Sequence, residues 1–309
     1  MYRDGVEASR GRRAANHHMT TTAAPSFLFA TASLARRIER AEAELIADGA
    51  AAAGVRLGED RVFLQRVAGG VAAFADDGSP FNKVAGVGFE GVPEDDVLAA
   101  IEREGARRQT AVQFEIASLA DPDVARCLTR RGYEIVGFEN VLGLALTPGA
   151  PQAPDEGGTS TRITSVGPDE NAMWLDTVAT GFLQPDAIDG PPSHETFDRS
   201  ALERVFADTI VAPGFERYLA WRDNDVAGGA SLRMHDGIAQ LCGAATLPAH
   251  RRQGVQSALL HYRLALAATR GCDLAVVTTQ PGSKSQQNVQ RFGFALLYAR
   301  AVLVKRDPP

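Results

Sequence analysis

One short segment of the chain combines residue types that are suited to binding an anion. An apolar strand pattern ends at Pro248, whose missing backbone N–H stops a strand ladder. Arg251 and Arg252 follow, and Gly254 stands at the start of a new helical pattern. The first turn of a helix leaves backbone N–H groups without partners, and a glycine lets a phosphate approach the backbone closely. The segment therefore predicts a phosphate-binding helix start.

Other familiar site motifs do not fit the chain. No Gly-Lys-Ser/Thr follows Gly254, and the three spaced glycines of a dinucleotide fingerprint are missing. Cys127, Cys242 and Cys272 form an odd-numbered set without metal-ligand spacing. The sequence therefore predicts no metal site and no disulfide framework, and it favours a reducing cytoplasm.

Residues 246–260, TLPAHRRQGVQSALL, resemble the CoA-binding motif of the GNAT family of N-acetyltransferases. That family reads Val-x-Pro-x-x-Arg/Gln-x-x-Gly-x-Gly/Ala and then small-Leu-Leu. Arg251 takes the Arg/Gln position and Gly254 that of the first glycine. The resemblance implies that backbone amides after Arg251 bind the CoA pyrophosphate, and that the strand end pairs with the pantetheine arm like an added strand. The implied CoA-binding residues are Thr246, Leu247, Arg251, Arg252, Gln253, Gly254, Val255, Gln256, Ser257 and, on the next helix, Asn288.

The chain departs from the family pattern at two positions. Gln256 stands where the family has Gly or Ala, so its side chain either narrows the pyrophosphate cradle or makes a contact of its own. Val289 stands where many relatives carry a tyrosine that serves as the general acid. Any acid must therefore come from elsewhere in the chain.

Acyl transfer to an amine needs a base that accepts a proton and often an acid for the leaving thiolate. The candidate catalytic residues are Tyr298, Cys242 and His235. Each also has a structural interpretation: Tyr298 as a packing residue, Cys242 as a core residue and His235 as a turn residue. The sequence leaves both interpretations open because catalysis requires geometry before assignment.

A linker divides the chain. Residues 147–161, TPGAPQAPDEGGTST, are rich in Pro and Gly and have little apolar side chain to bury. The two flanking blocks resemble weak repeats, because each ends with a strand, a short helix, an Arg-x-Gly-aromatic sequence and another strand. The glycine-aromatic pairs are Gly132-Tyr133 and Gly293-Phe294, and the second matches the closing Gly-Phe of the family.

Apolar periodicity and turn residues predict the elements that position these residues. In the first block they are a helix from Ser33 to Gly54, strands Arg61–Val67, Gly70–Ala75 and Lys83–Phe89, helix Glu94–Arg108, strand Ala111–Ala117, helix Pro122–Arg131 and a strand pair within Tyr133–Leu146. In the second they are strand Arg162–Val166, helix Glu170–Phe182, a loop Gln184–Glu203 before a short helix, strands Tyr218–Trp221, Val226–Arg233 and Ile238–Thr246, helix Arg252–Arg270, strand Leu274–Thr278, helix Ser285–Arg291 and strand Phe294–Lys305.

The predicted fold class is α/β, with two GNAT-like domains that each have a mixed, mostly antiparallel sheet flanked by helices. The predicted divisions are a disordered leader over residues 1–26, a degenerate GNAT-like domain over 27–146, the linker 147–161 and a catalytic GNAT domain over 162–309. The first copy is considered degenerate because Glu94, Asp95 and Asp96 at its corresponding helix start would repel a pyrophosphate.

Composition limits the partners. The 309 residues carry a net charge of −6, which argues against a nucleic-acid-binding face. No apolar run approaches the roughly 20 residues of a membrane span. The sequence predicts a cytoplasmic monomer or homodimer that transfers an acetyl group from acetyl-CoA to a small primary amine. The alternative is a non-catalytic module that binds or senses acyl-CoA.

Overall fold

The computed structural model describes residues 28–149, 161–184 and 197–305. Three predicted segments fall wholly or partly outside these ranges: the leader 1–26, most of the linker 147–161 and part of the loop 184–203.

The first half consists of a long helix followed by five strands and two shorter helices. In chain order they are α1 (Ala32–Leu57), β1 (Phe63–Val67), β2 (Gly70–Phe74), β3 (Lys83–Ala85), α2 (Asp95–Arg108), β4 (Val112–Ala117), α3 (Pro122–Arg130) and β5 (Glu134–Ala145).

The second half adds six strands and four helices among the described residues. In chain order they are β6 (Thr161–Ser165), α4 (Asn171–Leu183), α5 (Arg199–Val211), β7 (Phe215–Arg222), β8 (Asp225–His235), β9 (Ile238–Thr246), α6 (Val255–Thr269), β10 (Leu274–Thr279), α7 (Lys284–Arg291) and β11 (Ala295–Lys305).

The boundaries of α1 differ from the prediction at both ends. Thr31, and not Ser33, caps the helix, because its hydroxyl accepts the Leu34 N–H at 3.1 Å. The helix also continues through Gly54 to Leu57. A side chain at Gly54 would approach Val62 at 3.3 Å, so this glycine serves close packing and does not end the helix.

Three other predictions are wrong about single elements, and the first is the predicted strand Lys83–Phe89, which ends at Ala85. The segment predicted as a strand pair is one strand, β5, because it pairs with β11 along almost its whole length. Helix α5 starts inside the predicted loop and is 13 residues long. Asp198 caps the start of α5, because its carboxylate accepts the Ala201 N–H at 2.7 Å. The cap is hard to recognise in the sequence because Asp198 stands among other polar loop residues.

The two halves share one topology. Strands β1, β2 and β3 pair antiparallel in order, and β3 pairs parallel with β4. In the same way β7, β8 and β9 pair antiparallel, and β9 pairs parallel with β10. In each half a helix connects the parallel strands, and a second helix leads to a final long strand. The internal repeat noticed in the sequence is therefore a repeat of architecture.

The final strands of the two halves are exchanged. The sheet has eleven strands in the order β1-β2-β3-β4-β11-β5-β10-β9-β8-β7-β6. Thus β11 from the second half lies beside β4, and β5 from the first half lies beside β10. The prediction of mixed, mostly antiparallel sheets flanked by helices is confirmed, but the sequence did not indicate that the two sheets join.

Helix α1 connects the halves on one face of this sheet. Its Glu39 is 1% exposed and accepts from Arg300 Nε at 2.8 Å and from the Tyr298 hydroxyl at 2.7 Å. Arg56 near its end bonds Asp208 on α5 at 2.8 Å. A helix of the first half is thereby anchored to β11 and to α5 of the second half. Among the described residues, no helix is long and apolar enough to cross a membrane.

Candidate active site

A cleft opens where the parallel strands β9 and β10 separate. Their pairing covers only residues 238–240 and 274–276. Past this point both strands line a cleft of about 660 Å³. Gly243, at an irregularity in the β8–β9 register, has φ +57, and a side chain there would meet Ser231 Oγ at 2.6 Å. The glycine therefore lets β9 bend away from β10 and leaves one backbone edge of β9 without a strand partner.

The helix α6 begins at one end of this cleft. A 3-10 turn at Pro248–His250 leads into a loop in which Arg252 has φ +60 and Gly254 has φ +81. Gly254 is the N-cap, and its carbonyl accepts the Ala258 N–H at 2.9 Å. No backbone carbonyl of the described residues accepts the amides of residues 255–257. The start of α6 therefore presents unpaired N–H groups, as the sequence predicts for an anion site.

The structure brings four of the predicted CoA-binding side chains to the cleft: Thr246, Arg251, Gln256 and Asn288. Gln256 and Asn288 are in direct contact, because the Asn288 amide donates to Gln256 Oε1. The Arg251 guanidinium donates to the Gln184 carbonyl at the end of α4.

The other predicted residues surround the loop without lining the cleft. Leu247 uses both backbone groups within the chain: its N–H donates to the Ala227 carbonyl at 3.0 Å, and its carbonyl accepts the His250 N–H at 2.9 Å. This arrangement disfavours the predicted backbone pairing of Leu247 with pantetheine. Of the remaining positions, Arg252, Gln253 and Ser257 are exposed, Gly254 is half-buried and Val255 is buried.

Only one of the three predicted catalytic residues lies in the cleft. Cys242 lines it, and burial raises the pKa of its thiol, so the thiol stays protonated. Tyr298 is 5% exposed and donates its hydroxyl to Glu39, while burial and the Glu39 charge raise its pKa. His235 ends β8 opposite Ile238. Neither Tyr298 nor His235 is among the described residues that line the cleft.

Sequence reasoning missed an acidic cluster at the other end of the cleft. Glu42 from α1, Glu115 from β4 and Glu139 from β5 line this end, and one carboxylate oxygen of each lies 3.7 Å from an Arg300 guanidinium nitrogen. Lys83 contacts Glu115. Burial and the neighbouring Glu115 raise the pKa of Glu139 to about 8. The available signal was a charged residue inside a mostly apolar strand, as in VQFEIA around Glu115.

Aromatic side chains form another part of the cleft lining, called here the aromatic wall. Phe182 and Phe206 pack with ring centroids 5.4 Å apart, and both line the cleft with Phe81. A side chain at Gly243 would lie 3.8 Å from Phe206, so this ring lies beside the point where β9 bends.

Comparisons with known proteins agree with this architecture. The model of the acetyltransferase (GNAT) family matches residues 183–294. A GCN5-related N-acetyltransferase from Kribbella flavida superposes with a TM-score of 0.60 at 18% identity, over 91% of this chain and 98% of that chain. A tandem GNAT protein from the clavulanic acid biosynthesis pathway superposes with a TM-score of 0.53 at 15% identity, over 83% and 87% of the two chains. No curated protein sequence matches significantly.

The opened parallel strand pair and the repeated topology thus define a GNAT-type fold of the tandem kind, because the likeness to both structures covers most of each chain. The match to the acetyltransferase (GNAT) family model covers just over a third of the chain, residues 183–294. The described residues contain no cluster of metal-ligand side chains.

Proposed function

We propose that this chain is an N-acetyltransferase that moves an acetyl group from acetyl-CoA to the primary amine of a small molecule. The observation that carries the proposal is the start of α6 at the end of a cleft between two separated parallel strands. Unpaired amides there suit a diphosphate, and the open edge of β9 suits an extended pantetheine arm. The thioester supplies an activated acyl group, and the cleft walls hold the acceptor beside it.

The proposed CoA contacts follow the cleft. The amides of residues 255–257 bind the pyrophosphate, with Arg251 adding positive charge at the same end. Thr246 and Asn288 flank the arm. The corresponding helix of the first half, α2, carries Asp95 and Asp96 in its first turn, which opposes phosphate binding. We therefore propose one CoA site per chain, in a cytoplasmic monomer or homodimer.

Calorimetry of the full chain with acetyl-CoA tests the proposal. We expect binding in the micromolar range. The variant Gly254→Val places a branched residue at φ +81, so the loop must rearrange and its amides must move. We expect its affinity to be at least about tenfold weaker, which corresponds to about 1.4 kcal/mol.

The control is Gly271→Val. Gly271 has φ +86 at the end of α6, and a side chain there meets nothing within 4 Å. It imposes similar backbone strain away from the loop, so we expect unchanged binding. Wild-type protein that binds no acetyl-CoA would refute the CoA site.

A non-catalytic acyl-CoA-binding module is the second candidate. It is favoured by Val289, which is 5% exposed and occupies the position of the family tyrosine, and by the placement of Tyr298 away from the cleft. A thiol-release assay with a panel of amines separates the candidates. Amine-dependent CoA release above background hydrolysis would exclude the non-catalytic module.

A further inference from the structure

The acidic end of the cleft is built by the first half of the chain. Glu42, Glu115 and Glu139 belong to α1, β4 and β5. The CoA loop belongs to the second half. Because β5 is exchanged into the position beside β10, it brings Glu139 next to the strand that borders the cleft. The two ends of one cleft are therefore contributed by different halves.

The charges at this end do not cancel. Lys83 pairs with Glu115, and Arg300 pairs with Glu39 at 2.8 Å. Glu42 and Glu139 approach Arg300 only at 3.7 Å. Within the described residues, the Glu139 side chain makes no hydrogen bond, and the hydrogen bond of the Glu42 side chain is a 3.5 Å bond from Gln240. Two carboxylates are thus left with weak partners.

Two buried polar atoms at this end make no hydrogen bond within the described part of the chain, although Arg300 Nη2 lies 3.7 Å from a Glu42 carboxylate oxygen. Thr279 is 5% exposed and Arg300 is 1% exposed, and both line the cleft. Thr279 Oγ1 and Arg300 Nη2 have no hydrogen-bond partner among the residues that the structure describes. Buried polar groups are nearly always hydrogen-bonded, so a polar group of a ligand at this end would find a hydroxyl and a guanidinium N–H with which to bond.

The aromatic wall favours an apolar group on the rest of the acceptor. Phe81 and Phe206 face the same cleft as the carboxylates, and Phe206 lies beside Gly243, where the thioester-bearing end of the arm would reach. An apolar group on the acceptor would bury its surface against these rings.

We propose that the acceptor is an aralkyl ammonium ion without a carboxylate, held by Glu42, Glu139 and the aromatic wall, and that Glu139 accepts its proton. This inference rests on the proposed function. A carboxylate on the acceptor would meet the negative charge of Glu42 and, in the deprotonated form that accepts the proton, of Glu139. The single positive charge of the acceptor instead neutralises part of this negative charge.

Glu139 takes one proton from the ammonium, and the neutral amine attacks the thioester carbonyl carbon. The new C–N bond forms, the C–S bond breaks, and the thiolate takes the second proton from nitrogen. The products are the amide, CoA thiol and one proton on Glu139, which is released to solvent.

The substrate class is tested with acetyl-CoA and three amines on the full chain. We expect 2-phenylethylamine to exceed phenylalanine in kcat/KM by about 100-fold, because like charges brought together cost several kcal/mol. We expect 1,4-diaminobutane, which lacks an aromatic group, to be the poorer substrate as well. Equal or better use of phenylalanine or the diamine, or no acetylation of 2-phenylethylamine, overturns the substrate class.

The role of Glu139 is tested with Glu139→Gln and the control Glu134→Gln, an exposed glutamate on the same strand. Loss of a general base lowers kcat/KM by about 100-fold or more. In the wild type, kcat/KM should fall as pH drops below about 8, because protonated Glu139 accepts no proton; its pKa reflects burial and the facing charges of Glu42, Glu115, Lys83 and Arg300. This fall of kcat/KM at low pH, the acid limb of the pH profile, should disappear in Glu139→Gln and persist in Glu134→Gln.

Calorimetry with acetyl-CoA separates the possible failures. If wild type and Glu139→Gln both bind acetyl-CoA but the acid limb persists in the variant, the role of Glu139 is refuted and the CoA site stands. If the wild type does not bind acetyl-CoA, the proposed function fails and this inference fails with it.

Discussion

At the scale of the residue, the contact between Gln256 and Asn288 is the clearest departure from the family motif. The sequence left open whether Gln256 narrows the cradle or makes a contact of its own. The structure shows a contact, in which the Gln256 side chain accepts from the Asn288 amide across the cleft mouth. In the proposed binding mode, CoA would need the space or the donor that this pair occupies, so the pair would oppose CoA binding.

We therefore predict that Gln256→Ala strengthens acetyl-CoA binding by about fivefold, because no hydrogen bond of about 1 kcal/mol must first be broken. Calorimetry with acetyl-CoA measures this change in affinity. Gln290→Ala, an exposed position on α7, serves as the control and should leave affinity unchanged. Weaker binding by Gln256→Ala would mean that Gln256 itself contacts CoA.

Local signals predicted the strand end at Pro248 and the helix start after Gly254, but not the acidic cluster. Pro248 and Gly254 act on their own backbone, so their sequence alone indicates a strand end and a helix start. Glu42, Glu115 and Glu139 come together only through the packing of three separate elements. No spacing in the sequence indicates that these three glutamates lie close together. Tyr298 is the opposite case. Its residue type made it a candidate catalytic acid, but its hydroxyl contacts Glu39 and the side chain lies in the core.

At the scale of the element, α1 is held by a buried ion pair. Glu39 and Arg300 are each 1% exposed. Removing Glu39 breaks the 2.8 Å bond to Arg300 and leaves Arg300 with carboxylates no nearer than 3.7 Å. Breaking a buried pair in this way costs more than the pair contributes while intact. The position of α1 over the cleft therefore depends on Glu39.

We predict that Glu39→Gln lowers the free energy of unfolding by about 3–5 kcal/mol. Glu44→Gln is the control on the same helix: Glu44 pairs with Arg66, which is 61% exposed, and an exposed pair contributes at most about 1 kcal/mol. Urea titration followed by circular dichroism measures both. Equal losses in the two variants would contradict the anchoring role of Glu39.

Most elements followed from local pattern, and the failures share a cause. Strand β9 was predicted from Ile238 to Thr246 with the bounds that the structure has. The second half of β5 and the start of α5 were misjudged because distant partners decide them: β11 for the strand, and packing of Leu202 and Phe206 against Trp174 for the helix. Long-range contacts of this kind override the local secondary-structure propensity of a segment.

At the scale of the whole molecule, the strand exchange makes the halves interdependent. Val302 and Leu303 of β11 are at most 2% exposed and lie between two strands of the first half. Without β11, both β4 and β5 would present open edges, and without β5, β10 would do so.

We predict that residues 28–149 and 161–305, expressed separately, do not fold alone and regain structure when mixed. Size-exclusion chromatography and circular dichroism of the fragments and of their equimolar mixture provide the measurement. The uncut chain should unfold in one cooperative transition. A fragment 161–305 that is monomeric and unfolds cooperatively would show that the halves are independent.

The exchange also has a consequence for biosynthesis. Strand β4 leaves the ribosome long before β11 is translated, so its hydrogen-bonding edge must wait for a partner. An unpaired strand edge in a nascent chain invites intermolecular association. Codon usage or chaperone access over the intervening stretch would therefore govern the yield of native protein.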